Sequence, residues 1–132
     1  MTHPDTLTIR EMCDAYGVTP RTLRFYEQKE LLSPIRDGQH RLFTRADRAR
    51  LQLILRGKRF GFSLEDIRQL LAMYDRGGSN EAQLIATRDV ALERLAQMQA
   101  QRAELDIAIS ELQTQIHEAE ATLVAFRRAA AE

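Results

Sequence analysis

The chain has 132 residues, 44% of them apolar and 29% charged, which leaves room for one compact domain plus one long element and excludes an intrinsically disordered composition. No apolar run is long enough to cross a membrane and the first residues do not predict a signal peptide, so we expect a cytoplasmic protein. The formal net charge is zero, but residues 1–76 carry 14 basic and 10 acidic side chains whereas residues 77–132 carry 5 and 9, which indicates a polyanionic partner for the front half only.

Residues Leu7–Tyr16 predict a short amphipathic helix. Thr8 and Glu11 have the spacing of a capping box, in which the hydroxyl accepts from a backbone N–H three residues on and the carboxylate accepts from the N–H of the cap residue. Gly17 follows at the place where a left-handed helix cap is expected. Apolar residues recur at the spacing of one helix face, namely Ile9, Met12, Cys13 and Tyr16.

A second helix is predicted from Thr19 and Pro20 to about Glu30. Thr19 is a favourable N-cap, and Pro20 suits the first helical position because its missing N–H would have no helical partner there. Two short helices joined by a tight turn that contains glycine are typical of a helix-turn-helix.

A small β-hairpin is predicted next. Leu31-Leu32-Ser33-Pro34 ends the second helix. Asp37-Gly38 is a strong turn signal between Ile35-Arg36 and Arg41-Leu42-Phe43, because both turn residues tolerate a positive φ. A hairpin that follows a helix-turn-helix is a wing.

Two further helices are predicted to begin with capping boxes, at Thr44 with Asp47 and at Ser63 with Asp66. The third helix is expected to end between Gly57 and Gly61. The apolar positions are Leu51, Ile54 and Leu55 in the third helix, and Leu64, Ile67, Leu70, Leu71 and Tyr74 in the fourth.

The stretch 77–80 is rich in small and polar residues and predicts a linker. It separates a head, residues 1–76, from residues 81–128, which contain neither Gly nor Pro and predict one long helix. A heptad pattern gives the second half of this helix an apolar seam from Leu105 to Phe126. Nothing else in the chain is large enough to cover the seam, so we expect a homodimer. The alternative is a long helix folded back on the head, which the lack of a helix breaker disfavours.

Spaced motifs in the head resemble the mercury-resistance-type (MerR) family of bacterial transcription regulators. They fall within about Leu7–Tyr74, over half of the chain, and follow the family's order. The motifs are Thr19-Pro20-Arg21-Thr22-Leu23-Arg24-Phe25-Tyr26-Glu27, Leu31-Leu32-Ser33-Pro34, Arg41-Leu42-Phe43 and Gly61-Phe62-Ser63-Leu64-Glu65-Asp66-Ile67-Arg68. The resemblance implies a mainly α fold, with a winged helix-turn-helix head and an antiparallel coiled coil over residues 81–128 that forms the dimer.

The wing departs from the family pattern. Where the family usually reads Gly-Tyr-Arg-x-Tyr, this chain reads Gln39-His40-Arg41-Leu42-Phe43, which keeps the arginine but puts a tyrosine–phosphate contact in question. Within the family, the head and residues Leu53–Phe62 look most like regulators of leucine and isovalerate utilisation, that is, of branched-chain acyl-CoA breakdown.

The second helix carries the first candidates for DNA contact. Arg21 and Arg24 lie three residues apart and share a helix face. If the helix enters a major groove, Arg24 is the leading candidate for a base contact, because arginine can bind O6 and N7 of guanine together. Thr19 and the first amides of the helix can hold a phosphate at its positive end. The alternatives are a pair of solvated arginines and a plain helix cap.

The other candidates are expected at the DNA backbone. The family pattern implies that Phe25 packs inward while Tyr26 reaches the backbone, although the opposite assignment of these neighbours stays open. Arg41 on the wing is expected over a phosphate or near a minor groove. Lys58 and Arg59, at the end of the third helix, are expected to add backbone contacts unless they are only solvated.

Catalysis and metal binding are not expected. Cys13, on the apolar face of the first helix, fits a small buried hydrophobe, and the single cysteine excludes a disulfide within the chain. The three histidines share no ligand spacing, and the sequence has no catalytic triad, phosphate loop or paired-carboxylate cleft. We therefore predict no cofactor and an organic effector, such as an acyl-CoA near Lys58, Arg59 and Arg76.

The resemblance implies a transcription regulator that binds a pseudo-palindromic promoter operator as a homodimer. It would distort the DNA between the −35 and −10 elements and realign them for RNA polymerase. Two other classes stay open from the sequence: an architectural DNA-bending protein of the excisionase type, and a coiled-coil scaffold without a DNA role.

Overall fold

The structure is a computed structural model that describes residues 5–75 and 81–132. These residues form two compact units that divide after Val90. Their elements in chain order are β1 Leu7–Thr8, α1 Ile9–Tyr16, α2 Pro20–Gln28, β2 Ile35–Asp37, β3 His40–Phe43, α3 Arg45–Phe60, α4 Leu64–Asp75 and α5 Glu81–Ala131. The predicted fold class, a mainly helical chain with a winged helix-turn-helix and a long helix, is confirmed. The predicted linker 77–80 lies outside the described residues.

The first helix begins later than its apolar pattern predicts. Leu7–Thr8 forms strand β1, and α1 starts at Ile9. The predicted capping box is present, because Thr8 Oγ1 accepts from Glu11 N at 3.1 Å and Glu11 Oε1 accepts from Thr8 N at 2.9 Å. Gly17 ends the helix at φ 65°, as a left-handed cap requires.

The second helix also differs slightly from the prediction. Thr19 caps it by accepting from Thr22 N at 3.1 Å, as expected. The helix ends at Gln28 rather than Glu30, because Glu30 adopts a left-handed φ of 62° and the chain turns there. Leu31 N then donates to Tyr26 O at 2.8 Å, which closes the turn.

The predicted hairpin is confirmed, and a third strand joins it. The antiparallel sheet has the order β1-β3-β2, with Leu7 opposite Phe43 and Asp37 opposite His40. The pairing of Asp37 makes it the last strand residue, so Gly38 and Gln39 form the loop rather than Asp37-Gly38. Of the two loop residues, Gly38 has a positive φ, 63°, and Gln39 does not. Gly38 is at the position where a type II′ turn places glycine.

A buried carboxylate closes the base of the hairpin. Asp47 is 3% exposed and forms the predicted capping box with Thr44. Its second oxygen accepts from Ser33 N at 3.0 Å, so one side chain connects Ser33, two residues before β2, with Thr44, the residue after β3. The predicted box of Ser63 with Asp66 is present at the start of α4.

The core of the head lies between the helices and the inner face of the sheet. Predicted apolar positions of α3 and α4 reach it, since Leu51, Ile54 and Ile67 are fully buried. Cys13 is half-buried and packs against this core, consistent with a small hydrophobe. The buried apolar residues are Met12, Leu23, Tyr26, Leu31, Leu32, Phe43, Leu51, Ile54, Ile67 and Leu71.

Helices α3 and α4 approach closely at a glycine. A Cβ placed on Gly57 would lie 2.9 Å from Cγ1 of Ile67 and 3.3 Å from its Cδ1. Gly61 ends α3 with φ 78°, and its N–H donates to Lys58 O at 3.0 Å. The α3 end predicted between the two glycines is thus confirmed at Phe60.

Helix α5 covers 51 residues, Glu81–Ala131, and none of its described side chains is buried. The predicted seam is apolar and open, with Leu105, Ile109, Leu112 and Ile116 between 45% and 59% exposed. None of the helices in the described ranges is both long and apolar enough to cross a membrane.

Candidate nucleic-acid interface

Helix α2 presents two exposed arginines on one side of the head. Arg21 and Arg24 are exposed, and neither forms a hydrogen bond or ion pair with another residue of the described ranges. Thr19 is also exposed at the start of the helix, where its hydroxyl lies 2.8 Å from that of Thr22. As far as residues 5–75 and 81–132 are concerned, both arginines therefore keep their donors available for an external acceptor.

The assignment of Phe25 and Tyr26 is the reverse of the prediction. Tyr26 is 1% exposed and belongs to the core, whereas Phe25 is 39% exposed. The Tyr26 hydroxyl is buried and has no hydrogen-bond partner. Tyr26 shares its helix face with Leu23, which is fully buried, because the two positions are three residues apart. Tyr26 is thus a core residue, and its hydroxyl does not reach the surface of the head in this structure.

A carboxylate of α2 joins this helix to the wing. Nε of Arg41 donates to Oε2 of Glu27 at 2.5 Å, and Nε of Arg36 lies 3.3 Å from Oε1 of Glu27. The side chains of Arg41 and Glu27 are 20% and 21% exposed, so the pair is largely shielded. A guanidinium has five N–H donors, and the Glu27 contact leaves the Nη donors of Arg41 for a phosphate. Sequence reasoning missed Glu27, because the contact depends on how the wing folds against α2.

Arg24 and Arg41 line one hollow between α2 and the wing. Its volume is about 340 Å³. His40, from the wing position where the family pattern has tyrosine, also lines it. The remaining lining residues are Thr8, Ile9, Asp37, Gln39 and Leu42. The structure thus brings together Arg24, the leading candidate for a base contact, and Arg41 of the wing. The sequence predicted these two residues as candidates independently of each other.

Lys58 and Arg59 are exposed at the end of α3. Nζ of Lys58 lies 5.8 Å from the ring centroid of Tyr26, within range of a cation–π contact. Lys58 therefore lies on the side of the head where α2 packs, which fits a backbone contact beside α2.

The turn after α2 is held by two arginines that the sequence did not single out. Arg50 of α3 donates from Nε to Leu31 O at 2.9 Å, and Arg68 of α4 donates from Nη2 to Lys29 O at 2.7 Å. Arg50 also contacts Asp75 through Nη1. No periodic pattern marks such residues, because their partners are backbone carbonyls far away in the sequence.

A second cavity, of about 250 Å³, lies between α4 and the first turns of α5. Its lining residues include Asp66, Met73 and Thr87, and Thr87 Oγ1 donates to Met73 Sδ at 3.3 Å. None of its described lining residues is Lys or Arg; Lys58 and Arg59 lie elsewhere, and Arg76 lies outside the described residues. Among the described residues no group of three or more His, Cys, Asp or Glu could hold a metal ion.

Comparison with known proteins places this head in one family. Residues 7–74 match the MerR HTH family regulatory protein family, and residues 48–123 match the family described as MerR, DNA binding. The chain is a member of the MerR family of transcription regulators. Members of this family are regulators, so the prediction that the chain is not an enzyme is confirmed.

Individual relatives agree with this assignment. The HTH-type transcriptional regulator ZntR of Escherichia coli K12 is 35% identical over 99 residues, 74% of this chain and 69% of that protein. A mercuric resistance operon regulatory protein of Pseudomonas fluorescens is 33% identical over 115 residues, 86% of this chain and 78% of that protein. The crystal structure of HiNmlR, a MerR family regulator lacking the sensor domain, bound to promoter DNA, aligns with a TM-score of 0.61 and 27% identity. That alignment covers 80% of this chain and 79% of HiNmlR. This MerR-family regulator is thus a DNA-binding transcription regulator.

Proposed function

We propose that this MerR-family regulator binds a pseudo-palindromic promoter operator as a homodimer, with α2 of each protomer in a major groove and each wing on the neighbouring backbone. One observation carries the proposal. Arg24 is an exposed cation without a partner in the described chain, and it shares a hollow with Arg41 of the wing. A helix that reads base edges needs free donors, and a wing beside it needs a cation for phosphate.

The remaining contacts follow from the surfaces around α2. Arg24 reads a guanine, while Arg21 and the capped start of the helix at Thr19 hold phosphates. Lys58 and Arg59 extend the phosphate contacts past the end of α3. Because an α-helix N-terminus carries partial positive charge, Thr19 favours an anion without any further side chain.

Dimerisation through α5 supplies the second head. The seam residues Leu105, Ile109, Leu112 and Ile116 are exposed apolar side chains at heptad spacing, and a second copy of α5 is the simplest cover for them. An antiparallel coiled coil would place two heads on one operator. Two heads and two wings that hold phosphates can offset the free energy of distorting the DNA between the −35 and −10 elements, which realigns them for RNA polymerase.

The effector stays a hypothesis from the sequence. The relatives reported above do not support the leucine and isovalerate subgroup, so the proposal keeps only a small organic effector, not an acyl-CoA or a named pathway. Cys13→Ser tests the nature of the signal: because Cys13 packs against the core, a folded serine variant should respond as the unaltered protein does. Loss of the response in a folded variant that still binds DNA would instead indicate a thiol sensor.

Recovery of bound DNA tests the proposed function as a whole. Protein purified without a tag is mixed with fragmented genomic DNA, the retained fragments are sequenced, and one is used for footprinting and for transcription with RNA polymerase. We expect an inverted repeat between the −35 and −10 elements and a change in transcription. Arg128→Ala, on α5, is the control for loss of one arginine.

Two outcomes would contradict the proposal. An architectural protein would bend the retained DNA without changing transcription. A scaffold would show no salt-sensitive DNA affinity at all.

A further inference from the structure

The C-terminal end of α2 is bound by side chains of two other helices. Nε of Arg50, on α3, donates to the carbonyl of Leu31 at 2.9 Å, and Nη2 of Arg68, on α4, donates to the carbonyl of Lys29 at 2.7 Å. The carbonyl of Lys29, the C-cap residue, lies at the negative end of the helix dipole, where a cation is favourable. Both contacts are charge-assisted hydrogen bonds, which are strong.

Arg50 also binds the last residue of α4. Its Nη1 lies 2.6 Å from each carboxylate oxygen of Asp75. The Arg50 side chain is 16% exposed and that of Asp75 is 54% exposed, so the guanidinium is largely shielded while the carboxylate is accessible. One guanidinium therefore connects the exit of α2 with the end of α4, which the rigid fork of arginine permits and a flexible lysine does not.

The turn that Arg50 binds is firmly packed. Leu31 and Leu32 are both 1% exposed, and their N–H groups donate to Tyr26 O at 2.8 and 3.3 Å. Tyr26 is itself buried in the core and lies two positions from Arg24 on α2. Leu31 is therefore connected through Tyr26 to the part of the α2 backbone that carries Arg24.

We propose that Arg50 is a positioning residue that couples the end of α4 to the recognition helix: Asp75 holds Arg50, and Arg50 holds the turn after α2 in the orientation that fits the operator. The inference rests on the proposed role of α2 in reading DNA. A group that moves Asp75 would change operator affinity without touching the DNA.

Asp75→Asn tests the coupling because its electrostatic and positional effects have opposite signs. Removing a carboxylate makes the head more basic, which by itself tightens binding to any DNA. Loss of the Asp75–Arg50 contact should instead lower operator affinity about fivefold to tenfold. Non-specific affinity should not fall, and amide hydrogen exchange should increase at Leu31 and Leu32. Asp75→Glu, which can still reach Arg50, should restore most of the affinity.

Asp89→Asn is the matched control. Asp89 forms an ion pair with its neighbour Arg88 at 3.2 Å and has 61% side-chain exposure, so the same substitution removes the same charge at a similarly exposed site. An operator affinity for Asp75→Asn equal to that of Asp89→Asn would overturn the inference. The inference would also be overturned if Asp75→Asn lowered the melting temperature together with the affinities for operator and for non-specific DNA. A contact that only stabilises the fold predicts that pattern.

Arg24→Ala separates this inference from the proposed function. If Arg24→Ala leaves sequence discrimination unchanged, α2 is not the recognition helix and the proposed function fails. If Arg24→Ala reduces discrimination while Asp75→Asn does not lower operator affinity, the coupling alone is wrong.

Discussion

Arg41 of the wing and Glu27 of α2 form a shielded ion pair across 2.5 Å, with Arg36 at 3.3 Å from the other oxygen of the same carboxylate. The two elements assigned to DNA contact are thus joined by one acidic side chain. Because both partners are about four-fifths buried, the pair is less screened by salt than ion pairs on an open surface. The spacing between α2 and the wing is therefore a property of the folded head, present before DNA binds.

Arg41→Ala should weaken specific and non-specific DNA binding together, because a wing contact to phosphate carries no sequence information. The slope of log affinity against log salt should fall by about two per dimer, one for each wing. Fluorescence anisotropy over a series of salt concentrations measures the slope, with Arg128→Ala as the control. An unchanged slope would remove Arg41 from the phosphate contacts.

Arg24→Ala should cost about 1–3 kcal/mol of operator binding and relax specificity at one base pair in each half-site. The physical reason is the loss of a bidentate contact that only guanine satisfies. Binding to a set of operators with single base changes measures the effect at each position. Equal weakening for every sequence would identify Arg24 as a phosphate contact.

Tyr26→Phe tests the inward position of Tyr26. The hydroxyl is buried without a partner, so its removal should raise the free energy of unfolding by about 1 kcal/mol. Operator affinity should not change, because Tyr26 does not reach the DNA. Urea denaturation and anisotropy measure the two quantities. A clear loss of affinity in a stable variant would show that the hydroxyl turns outward in the complex.

Gly57→Ala should lower the free energy of unfolding by about 1–2 kcal/mol, because the new methyl group would meet Ile67 at 2.9 Å in a packed core. In an Ile67→Ala background the clash is absent, and the same change should stabilise α3 by about 1 kcal/mol through helix propensity. Thermal denaturation of the unaltered protein, the two single variants and the double variant gives the double-mutant cycle. The same sign in both backgrounds would contradict a contact between the two residues.

Ile109→Asp combined with Ile116→Asp should produce monomers and abolish operator binding, because two buried carboxylates cannot be solvated in a coiled-coil seam. Sedimentation velocity measures the oligomeric state. Ile107→Asp combined with Thr114→Asp is the control, since these exposed positions share the spacing but lie off the seam. An intact dimer in the first variant would show that α5 pairs through another face, or not at all.

Local signals predicted most of the head. The capping pairs Thr8–Glu11 and Thr44–Asp47 involve residues three positions apart, so they can be read directly from the sequence. The sequence did not predict strand β1, because a strand of two residues is too short to show an alternation of apolar and polar side chains. The outward orientation expected for Tyr26 rested on the family pattern and was wrong, because packing beside Leu23 places the Tyr26 ring in the core.

The site depended more on contacts between distant segments. Arg24 and Arg41 were found because each stands in a recognisable motif. Glu27 and Arg50 were not. The partners of Glu27 lie 9 and 14 residues away and those of Arg50 lie 19 and 25 residues away, so these contacts are determined only when the elements pack together. Nε of Arg50 also donates to the backbone carbonyl of Leu31. Every residue has such a carbonyl, so the type of the partner residue cannot reveal the contact.

Thr8 belongs to two elements at once, since it pairs with Leu42 in the sheet and caps α1. An extra residue inserted between Thr8 and Ile9 would rotate α1 by about 100° relative to the strand, because an α-helix has 3.6 residues per turn. Met12 would then leave the core. Segments exchanged between related regulators should therefore be joined away from this junction, for instance within the exposed hairpin loop at Gly38 and Gln39, where a change of length disturbs only the tip of the wing.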